Sequence, residues 1–310
     1  MSVVALAGGV GGAKLVDGLA QVLPPERLTV VVNTGDDFEH LGLHISPDLD
    51  TVCYTLAGLA NRATGWGRAD ESWHFLETLG LLGGPAWFRL GDRDLALHHE
   101  RTRRLALGES LTSVTRQLSA RMGIKPTVLP MSDDRVRTMV LTATGELPFQ
   151  TYFVEQACEP VVRGFRFDGG AAARPAPGVL EAIASAQAVI LCPSNPWVSL
   201  DPILGIPGIR PALAGKTVVG VSPIIRGQAL KGPAAKMARE LGIEPSAAAI
   251  ADHFRGLLTG LVIDTQDAAE EERVQDAGAR VQLANTVMKT PADRRRLAEH
   301  VLGFAGRLAG

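Results

Sequence analysis

A glycine-rich segment near the start of the chain has residues suited to binding an anion, and it reads Gly8-Gly9-Val10-Gly11-Gly12-Ala13-Lys14. Glycines permit positive φ values and close approach of the backbone, so N–H groups and the start of a following helix can cradle a phosphate. We therefore predict a phosphate site formed by Gly9, Val10, Gly11, Gly12 and Lys14. The alternative is a tight turn between a strand and a helix that binds no ligand.

Two known phosphate-binding motifs do not fit this segment. A Walker A loop requires Ser or Thr directly after its lysine, but Leu15 follows Lys14. A dinucleotide-binding fingerprint that begins at Gly9 requires Gly or Ala where Lys14 stands. An ATPase is therefore not indicated, and binding of NAD is disfavoured.

Two adjacent carboxylates, Asp36 and Asp37, end the segment Asn33–Asp37 (NTGDD), which follows a second apolar run. Ligands of open α/β sheets gather at the carboxyl ends of strands. Mg²⁺ takes one or two carboxylates and completes its shell with water and substrate phosphate. The segment thus predicts a Mg²⁺ site, with a turn rich in Asx residues as the alternative.

The segment Ser46–Asp50 (SPDLD) is typical of a helix start. We expect Ser46 to be the N-cap, Pro47 to occupy the first helical position, and Asp48 to be stabilised by the helix dipole. Asp50 is not needed for this cap. Its spacing alone indicates a charged side chain on the surface.

Later junctions offer further polar groups. Ser194 and Asn195 follow an apolar run and are suited to contact phosphate or ribose, or equally to form an Asn-Pro turn with a helix cap. Lys231 lies in a loop of small residues, where it either meets an anion or is solvated. The segment Arg89–Arg104 is the densest charged patch, and its alternating signs favour a salt-bridged surface.

Short apolar runs alternate with helical patterns and therefore predict a parallel sheet covered by helices on both faces. The predicted strands of this type are Ser2–Ala7, Leu28–Val32, Ala188–Cys192, Thr217–Val221, Leu261–Asp264 and Val281–Leu283. Helices are expected at Gly12–Leu23, Thr51–Leu59, Ser72–Leu79 and Ser110–Met122, and β-structure at the sheet edge at Val136–Thr142 and Gln150–Glu155. We predict one α/β domain over residues 1–310, with a core of 1–50 and 125–310 and a mostly helical insert at about 51–124.

Composition excludes several classes of protein. The 310 residues carry 31 Lys plus Arg and 33 Asp plus Glu, so the net charge of −2 provides no basic field for nucleic acid or anionic lipid. Cys53, Cys158 and Cys192 form no CxxC motif, which favours a reduced, cytoplasmic protein over a disulfide scaffold or zinc site. The apolar stretches contain charges and prolines, so no membrane span is expected.

Taken in order, these motifs resemble the 2-phospho-L-lactate transferase family of coenzyme F(420) biosynthesis, whose bacterial members act as phosphoenolpyruvate transferases. The resemblance covers nearly the whole chain. It rests on GGVGGAKL (8–15), NTGDD (33–37), ISPDLDT (45–51), WFRLGDRDL (87–95), LPMSD (129–133), PSNP (193–196) and ALKGP (229–233). Arg226 departs from the family pattern, which usually has glycine at that position.

The resemblance implies a Rossmann-like core with a helical insert, Mg²⁺ and often a homodimer. It also implies that a ribityl hydroxyl of the deazaflavin Fo attacks the phosphate of a guanylylated three-carbon acid and releases GMP. Asp50 and Arg89 stand at the family's Fo-binding positions. We predict that Asp36, Asp37 and Asp50 hold the ion and orient the hydroxyl, and that the donor is held by a second set of residues, namely Gly9, Val10, Gly11, Gly12, Lys14, Ser194, Asn195 and Lys231.

Two other functions stay open at this point. One is a non-catalytic regulatory protein that binds a sugar nucleotide, similar to the gluconeogenesis-factor family, which shares the glycine-rich opening. Asp50 and the segment Arg89–Leu95 favour the transferase over it. The other is a nicotinamide dehydrogenase, which Lys14 disfavours. The sequence does not distinguish phosphoenolpyruvate, 2-phospholactate and 3-phosphoglycerate as the transferred acid.

Overall fold

The structure is a computed structural model that describes residues Met1 to Gly310. The strands are β1 (Val3–Ala7), β2 (Leu28–Val32), β3 (Phe38–His40), β4 (Leu43–Ile45), β5 (Thr127–Pro130), β6 (Arg137–Thr142), β7 (Gly145–Pro148), β8 (Val162–Asp168), β9 (Ala188–Leu191), β10 (Thr217–Val221), β11 (Ile224–Ile225), β12 (Gln228–Ala229), β13 (Gly260–Asp264) and β14 (Arg280–Ala284).

The α-helices are α1 (Gly9–Val22), α2 (Pro47–Leu56), α3 (His74–Leu81), α4 (Asp92–Ala106), α5 (Leu111–Arg121), α6 (Val179–Ser185), α7 (Asp201–Leu204), α8 (Ile209–Ala212), α9 (Ala234–Glu240), α10 (Ala247–His253), α11 (Glu271–Asp276) and α12 (Pro291–Ala309). Short π-helical segments cover Thr151–Glu155 and Pro196–Leu200.

Seven strands form a central sheet in the order β14-β13-β10-β9-β1-β2-β5, and every neighbouring pair is parallel. The chain first builds outward from β1 through β2 to β5, then crosses back to β9 on the other side of β1. This is the strand order of a doubly wound, Rossmann-like fold, extended by one strand. The reversal leaves a crevice beyond the carboxyl ends of β1 and β9. Ligands of such sheets bind in that crevice.

The first strand shows why the sheet is buried on both faces. In β1, Val4 and Leu6 contribute to the hydrophobic core on one face, whereas Val3, Ala5 and Ala7 contribute to the core on the other. Alternation with period two requires apolar residues at every position when both faces are covered. The prediction of a parallel sheet covered by helices on both faces is therefore confirmed.

Helices α1 and α12 lie on one face of the sheet and approach each other closely. A Cβ atom built at Gly18 of α1 would lie 2.1 Å from the carbonyl oxygen of Arg294 in α12. No side chain fits in that space, so glycine sets the distance between the two helices. Helices α6 to α11 bury apolar residues in the core on the opposite face.

Between β4 and β5 the chain is helical, as expected, but its helices play different roles. Helix α2 buries Leu49 and Val52, and α5 buries Leu111, in the same core as α1. By contrast, α3 buries no residue. The division into a core and an insert at 51–124 stays a prediction, since α2 and α5 pack on the core.

Several local predictions are wrong. Gln150–Glu155 is helical rather than β, and β6 belongs to a separate antiparallel sheet with β7 and β8 rather than to the edge of the central sheet. The charged segment after Arg89 forms helix α4, which was not predicted. Ser46 makes no side-chain cap bond, because its hydroxyl donates instead to the Asp37 carboxylate at 2.7 Å.

Arg226 occupies a turn that prefers glycine or asparagine. Strands β11 and β12 pair Ile225 with Gln228, and the two residues between them, Arg226 and Gly227, have φ values of +51° and +71°. Two successive positive φ values define a type I′ turn, for which Asn-Gly is the preferred sequence. This conformation explains why glycine suits position 226, and it makes the arginine found there unfavourable.

We expect Arg226→Asn to raise the free energy of unfolding by roughly 1 kcal/mol, because asparagine tolerates the left-handed region better than arginine. Urea denaturation measures the change. The matched control is Arg226→Lys, which keeps a long cationic side chain and should leave stability unchanged. Lower stability of Arg226→Asn than of the wild type would contradict this account of the turn.

Candidate active site

A cavity of about 680 Å³ opens at the carboxyl ends of the central strands. Its wall combines the turn after β1, the segments after β2, β9 and β10, and residues of the insert. All the predicted site residues except Gly12 and Asp37 line it, namely Gly9, Val10, Gly11, Lys14, Asp36, Asp50, Arg89, Ser194, Asn195 and Lys231. The fold therefore brings together residues that are far apart in the sequence.

The turns after β1 and β9 are joined where the strand order reverses. The Gly8 N–H donates to the Ser194 hydroxyl at 3.0 Å, and this hydroxyl donates back to the Gly8 carbonyl at 2.8 Å. Cβ atoms at Gly11 and Gly12 would lie 2.3 Å from the Pro193 carbonyl oxygen and 2.5 Å from Ser194 Oγ. Two of the glycines are thus required by the close approach of two turns, whatever the ligand.

Asp36 and Asp48 face one another across the side chain of Asn33. Asn33 Nδ2 lies 3.1 Å from Asp36 Oδ1 and 2.9 Å from Asp48 Oδ2. Asp48 also accepts from the Gly9 N–H at 2.6 Å, and Asp36 accepts from Gln150 Nε2 at 3.1 Å. The partners of both carboxylates are therefore neutral amide groups.

Asp36 and Asp48 are buried and form no ion pair with a basic side chain, so ionising either carboxylate costs free energy. Burial raises the pKa of the Asp36 carboxyl well above its usual range, and the charges of Asp48 and Asp37 raise it further. Burial likewise raises the pKa of Asp48 to about 6, against the lowering effect of its bonds from Asn33 and Gly9. A bound cation would remove this penalty, because an opposite charge favours the ionised form.

Asp48 is the site residue that sequence reasoning missed. It does lie in the first turn of α2, as predicted. Its bond to Gly9, 39 residues earlier, has no signal in the local sequence. The only hint was the proximity of a second acidic residue, Asp50, in the same segment.

Asp37 lies behind the cavity wall rather than on it. Its Oδ2 lies 3.0 Å from His44 Nε2 and accepts from the Ser46 hydroxyl, while its Oδ1 is buried without a partner. Its assignment as a metal ligand stays a prediction. The structure places Asp48, and not Asp37, beside Asp36 at the cavity.

Asp50 is buried, with 6 % of its surface exposed, and forms an ion pair with Arg101 of α4. The interpretation of Asp50 as a surface charge, drawn from spacing alone, is therefore wrong. The predicted salt-bridged surface around Arg101 is confirmed in part, because Arg103 and Arg104 pair with the accessible Glu100, whereas His98 and Arg101 are both buried. Burial lowers the pKa of Arg101, but the Asp50 carboxylate outweighs burial and raises it above the ordinary value.

Arg89 and an aromatic cluster line the cavity from the segment between α3 and α4. The Arg89 guanidinium lies 4.5 Å from the centre of the Trp73 ring. Beside it, Trp87 and Phe88 line the cavity and contact each other edge to face at 5.6 Å. Such rings supply flat apolar surface suited to an aromatic ligand.

Two lysines face the cavity near the start of α1. Lys14 Nζ donates to the Met288 carbonyl at 3.0 Å, and burial lowers its pKa, with further lowering by Arg294 and Lys231. Lys231 Nζ donates to the Thr64 carbonyl at 3.1 Å. Asn195 Oδ1 accepts from the Trp197 N–H at 3.1 Å and so caps a helical segment, which is the alternative that the sequence left open.

The strand order and the cavity at its reversal define a Rossmann-like α/β protein with a site at the topological switch point. The family model described as 2-phospho-L-lactate transferase CofD matches residues 3–300, so the chain belongs to this family of transferases. The predicted resemblance is confirmed. No helix of the chain has both the length and the apolar character that crossing a bilayer requires.

Relatives agree with this assignment. The chain is 47 % identical over 301 residues to a phosphoenolpyruvate transferase of Streptomyces griseus, with 94 % of each chain covered. It is 41 % identical over 295 residues to a 2-phospho-L-lactate transferase of Methanosarcina mazei, with 95 % of this chain and 97 % of the other covered. A crystal structure of a Bacillus halodurans protein has a TM-score of 0.65 at 17 % identity, over 97 % of this chain and 99 % of that one, which shows the fold alone.

Proposed function

We propose that this enzyme transfers a phospho-three-carbon-acid group from a guanylylated donor to the ribityl hydroxyl of Fo, with release of GMP and with Mg²⁺ as cofactor. The observation that carries the proposal is that one cavity is lined by two kinds of residues. Asp36, Asp48 and the start of α1 line it, and so do Asp50, Arg89 and the rings of Trp87 and Phe88. The first set suits a metal-bound diphosphate, and the second suits a flat, hydroxylated acceptor.

The residues present fit a magnesium ion. Asp36 and Asp48 are buried carboxylates held only by neutral amides, and Mg²⁺ commonly takes one or two carboxylates together with substrate phosphates. The chain has no group of three or more His, Cys, Asp or Glu side chains arranged to hold a metal ion. A site completed by the phosphates of the donor is compatible with that finding. When bound, the ion would neutralise charge on the diphosphate.

The donor would lie against the start of α1. N–H groups of the glycine segment and the helix dipole favour the diphosphate there, and Lys14 and Lys231 add two positive charges. Each charge-assisted hydrogen bond contributes roughly 1.5 to 3 kcal/mol. Lys231 would have to exchange its present bond with the Thr64 carbonyl for a phosphate oxygen.

The reaction forms one P–O bond and breaks another. The Fo hydroxyl oxygen attacks the phosphorus next to the three-carbon acid, the P–O–P bridge breaks, and GMP leaves with the bridging oxygen. The Asp50 carboxylate orients the hydroxyl, whose proton passes to solvent. Such chemistry depends mainly on alignment and charge neutralisation, and few covalent steps fall to the protein.

The experiment is incubation of the protein with Fo, Mg²⁺ and each of three guanylylated acids, followed by mass measurement of the products. We expect one phosphodiester of Fo and an equal amount of GMP. The name of the Streptomyces griseus relative favours the phosphoenolpyruvate donor. A folded protein that binds GDP but forms no product from any donor would contradict the proposal and favour the regulatory function.

Two further expectations accompany this proposal. The resemblance implies that two copies of the chain associate, and the absence of disulfide-forming cysteines favours the cytoplasm. Both stay predictions. Sedimentation velocity of the purified protein measures the first directly.

A further inference from the structure

We propose that Arg101 is a positioning residue that fixes the Asp50 carboxylate at the cavity wall, and that His98, Asp94 and Tyr54 hold this arrangement in place. The inference rests on the proposed function, in which the Asp50 carboxylate faces and orients the hydroxyl of the acceptor. Arg101 does not line the cavity, whereas Asp50 does. Its effect on the reaction must therefore pass through Asp50.

The Arg101 guanidinium binds both oxygens of Asp50. Its NH1 donates to Asp50 Oδ2 at 3.1 Å, and its NH2 donates to Asp50 Oδ1. NH1 also lies 3.4 Å from the His44 carbonyl oxygen. Both side chains are almost fully buried, so solvent cannot replace either partner.

A second set of contacts supports the guanidinium from behind. His98 Nδ1 lies 3.3 Å from Arg101 NH1, and His98 Nε2 lies 3.2 Å from Asp94 Oδ1. The Tyr54 hydroxyl donates to the same Asp94 oxygen at 2.5 Å. These contacts place His98 between the Arg101 guanidinium and the Asp94 carboxylate.

These contacts close a ring between two helices. Asp50 and Tyr54 are one turn apart on α2, and Asp94, His98 and Arg101 are spaced by four and three residues along α4. Residues at this spacing share one face of a helix. The ring therefore joins α2 to α4 through polar groups.

The pairing gives Asp50 a different role from that of Asp36 and Asp48. A bidentate arginine fixes the plane of the carboxylate and neutralises its charge, yet leaves acceptor sites on both oxygens. Asp50 can then accept a hydrogen bond from the acceptor hydroxyl and orient it, but it is a poor competitor for the cation. Asp36 and Asp48 have no such counter-charge and remain the better place for it.

The test compares Arg101→Lys, Arg101→Met and Arg101→Ala with the wild type in the transfer assay. We expect kcat of Arg101→Met to fall about 100-fold, which is the effect of misplacing a reacting group by about an ångström. Arg101→Lys keeps the positive charge but lacks the paired N–H donors of the guanidinium, and it should retain more activity than Arg101→Met. The KM for the guanylylated donor should stay unchanged, because the start of α1 is not altered.

Guanidinium ion added to Arg101→Ala should restore part of the lost kcat, because it supplies the missing pair of N–H donors to a folded site. The matched control is Arg104→Met, which removes an arginine from the same helix that pairs with Glu100 and not with Asp50. Arg104→Met should keep the kinetic constants of the wild type. Thermal melts of every variant show whether it is folded.

The outcomes separate the two proposals. A wild type without turnover overturns the proposed function and this inference with it. Wild-type turnover together with normal kcat in folded Arg101→Met overturns the inference alone. Loss of activity that follows loss of folding, without rescue by guanidinium or by lysine, also overturns it, because Arg101 would then serve only stability.

Discussion

Asp48→Asn is expected to abolish transfer and yet to make the metal-free protein more stable at pH 7. Asparagine is close to isosteric, and its amide oxygen can still accept from the Gly9 N–H. The substitution removes a buried carboxylate whose partners are neutral amides. The gain should approach about 3 kcal/mol, because each unit of pKa shift corresponds to roughly 1.4 kcal/mol.

The pH dependence of this difference has a definite sign. Burial raises the pKa of Asp48 from 3.8 to about 6 in the folded state, so the folded protein binds more protons than the unfolded chain between those values. The wild type therefore loses stability as pH rises through this window. The advantage of Asp48→Asn should be absent below about pH 4, grow up to about pH 6, and stay constant above it.

Urea denaturation of both proteins in EDTA, at half-unit steps of pH, measures the difference. Mg²⁺ should then stabilise the wild type more than Asp48→Asn. Asp134→Asn is the control, because Asp134 is exposed and does not line the cavity. A difference that is independent of pH, or full turnover by Asp48→Asn, would contradict the role given to this carboxylate.

Gly11→Ala is expected to destabilise the fold and to remove activity together. Its Cβ would lie 2.3 Å from the Pro193 carbonyl oxygen, so the turns after β1 and β9 must separate. Overpacking of this kind typically costs about 1 to 3 kcal/mol. Since both turns line the cavity, the donor site opens at the same time.

Gly306→Ala is the control, because it makes the same substitution at a glycine with free space around it. Gly306 lies within helix α12, and nothing stands within 4 Å of the position of its Cβ. Alanine there should raise stability by roughly 1 kcal/mol through helix propensity, with unchanged activity. Thermal melts and the transfer assay measure both effects. Equal stability of Gly11→Ala and the wild type would show that the two turns do not need their close contact.

Six of the seven strands of the central sheet were predictable, because most of them are short apolar runs buried on both faces, whereas the edge strand β5 was missed. Thr217–Val221 matches β10 at both ends, and Val281–Leu283 lies within β14. The prediction of β-structure at Gln150–Glu155 is wrong because packing overrides the local strand propensity. The Thr, Tyr, Phe and Val residues of this segment favour strands, yet Phe149 and Phe153 stack with ring centres 5.4 Å apart, and Tyr152 is fully buried in a helical turn.

Helix α4 was missed because its buried face is polar. Periodicity identifies helices by their apolar stripe, but the stripe of α4 includes Asp94, His98 and Arg101. A polar face of this kind has no signal until the partner helix is known. Asp50 and Arg101 are 51 residues apart in the sequence, so their pairing depends on the fold.

The site was therefore predictable in its chemistry and less so in its geometry. The glycine segment and the carboxylates were recognised by residue type, and most of them line the cavity. The sequence did not show which carboxylates face each other. Asp36 and Asp48 both accept from Asn33, whereas Asp37 points toward His44. Adjacent residues in a turn commonly point in different directions.

The most direct test of the central claim is anomalous diffraction from crystals of the protein grown with GDP and Mn²⁺ in place of Mg²⁺. Our account predicts a manganese peak coordinated by Asp36 and Asp48, with the GDP phosphates at the start of α1 and Asp50 still paired with Arg101. Manganese bound elsewhere, with Asp36 and Asp48 facing neither ion nor phosphate, would contradict it.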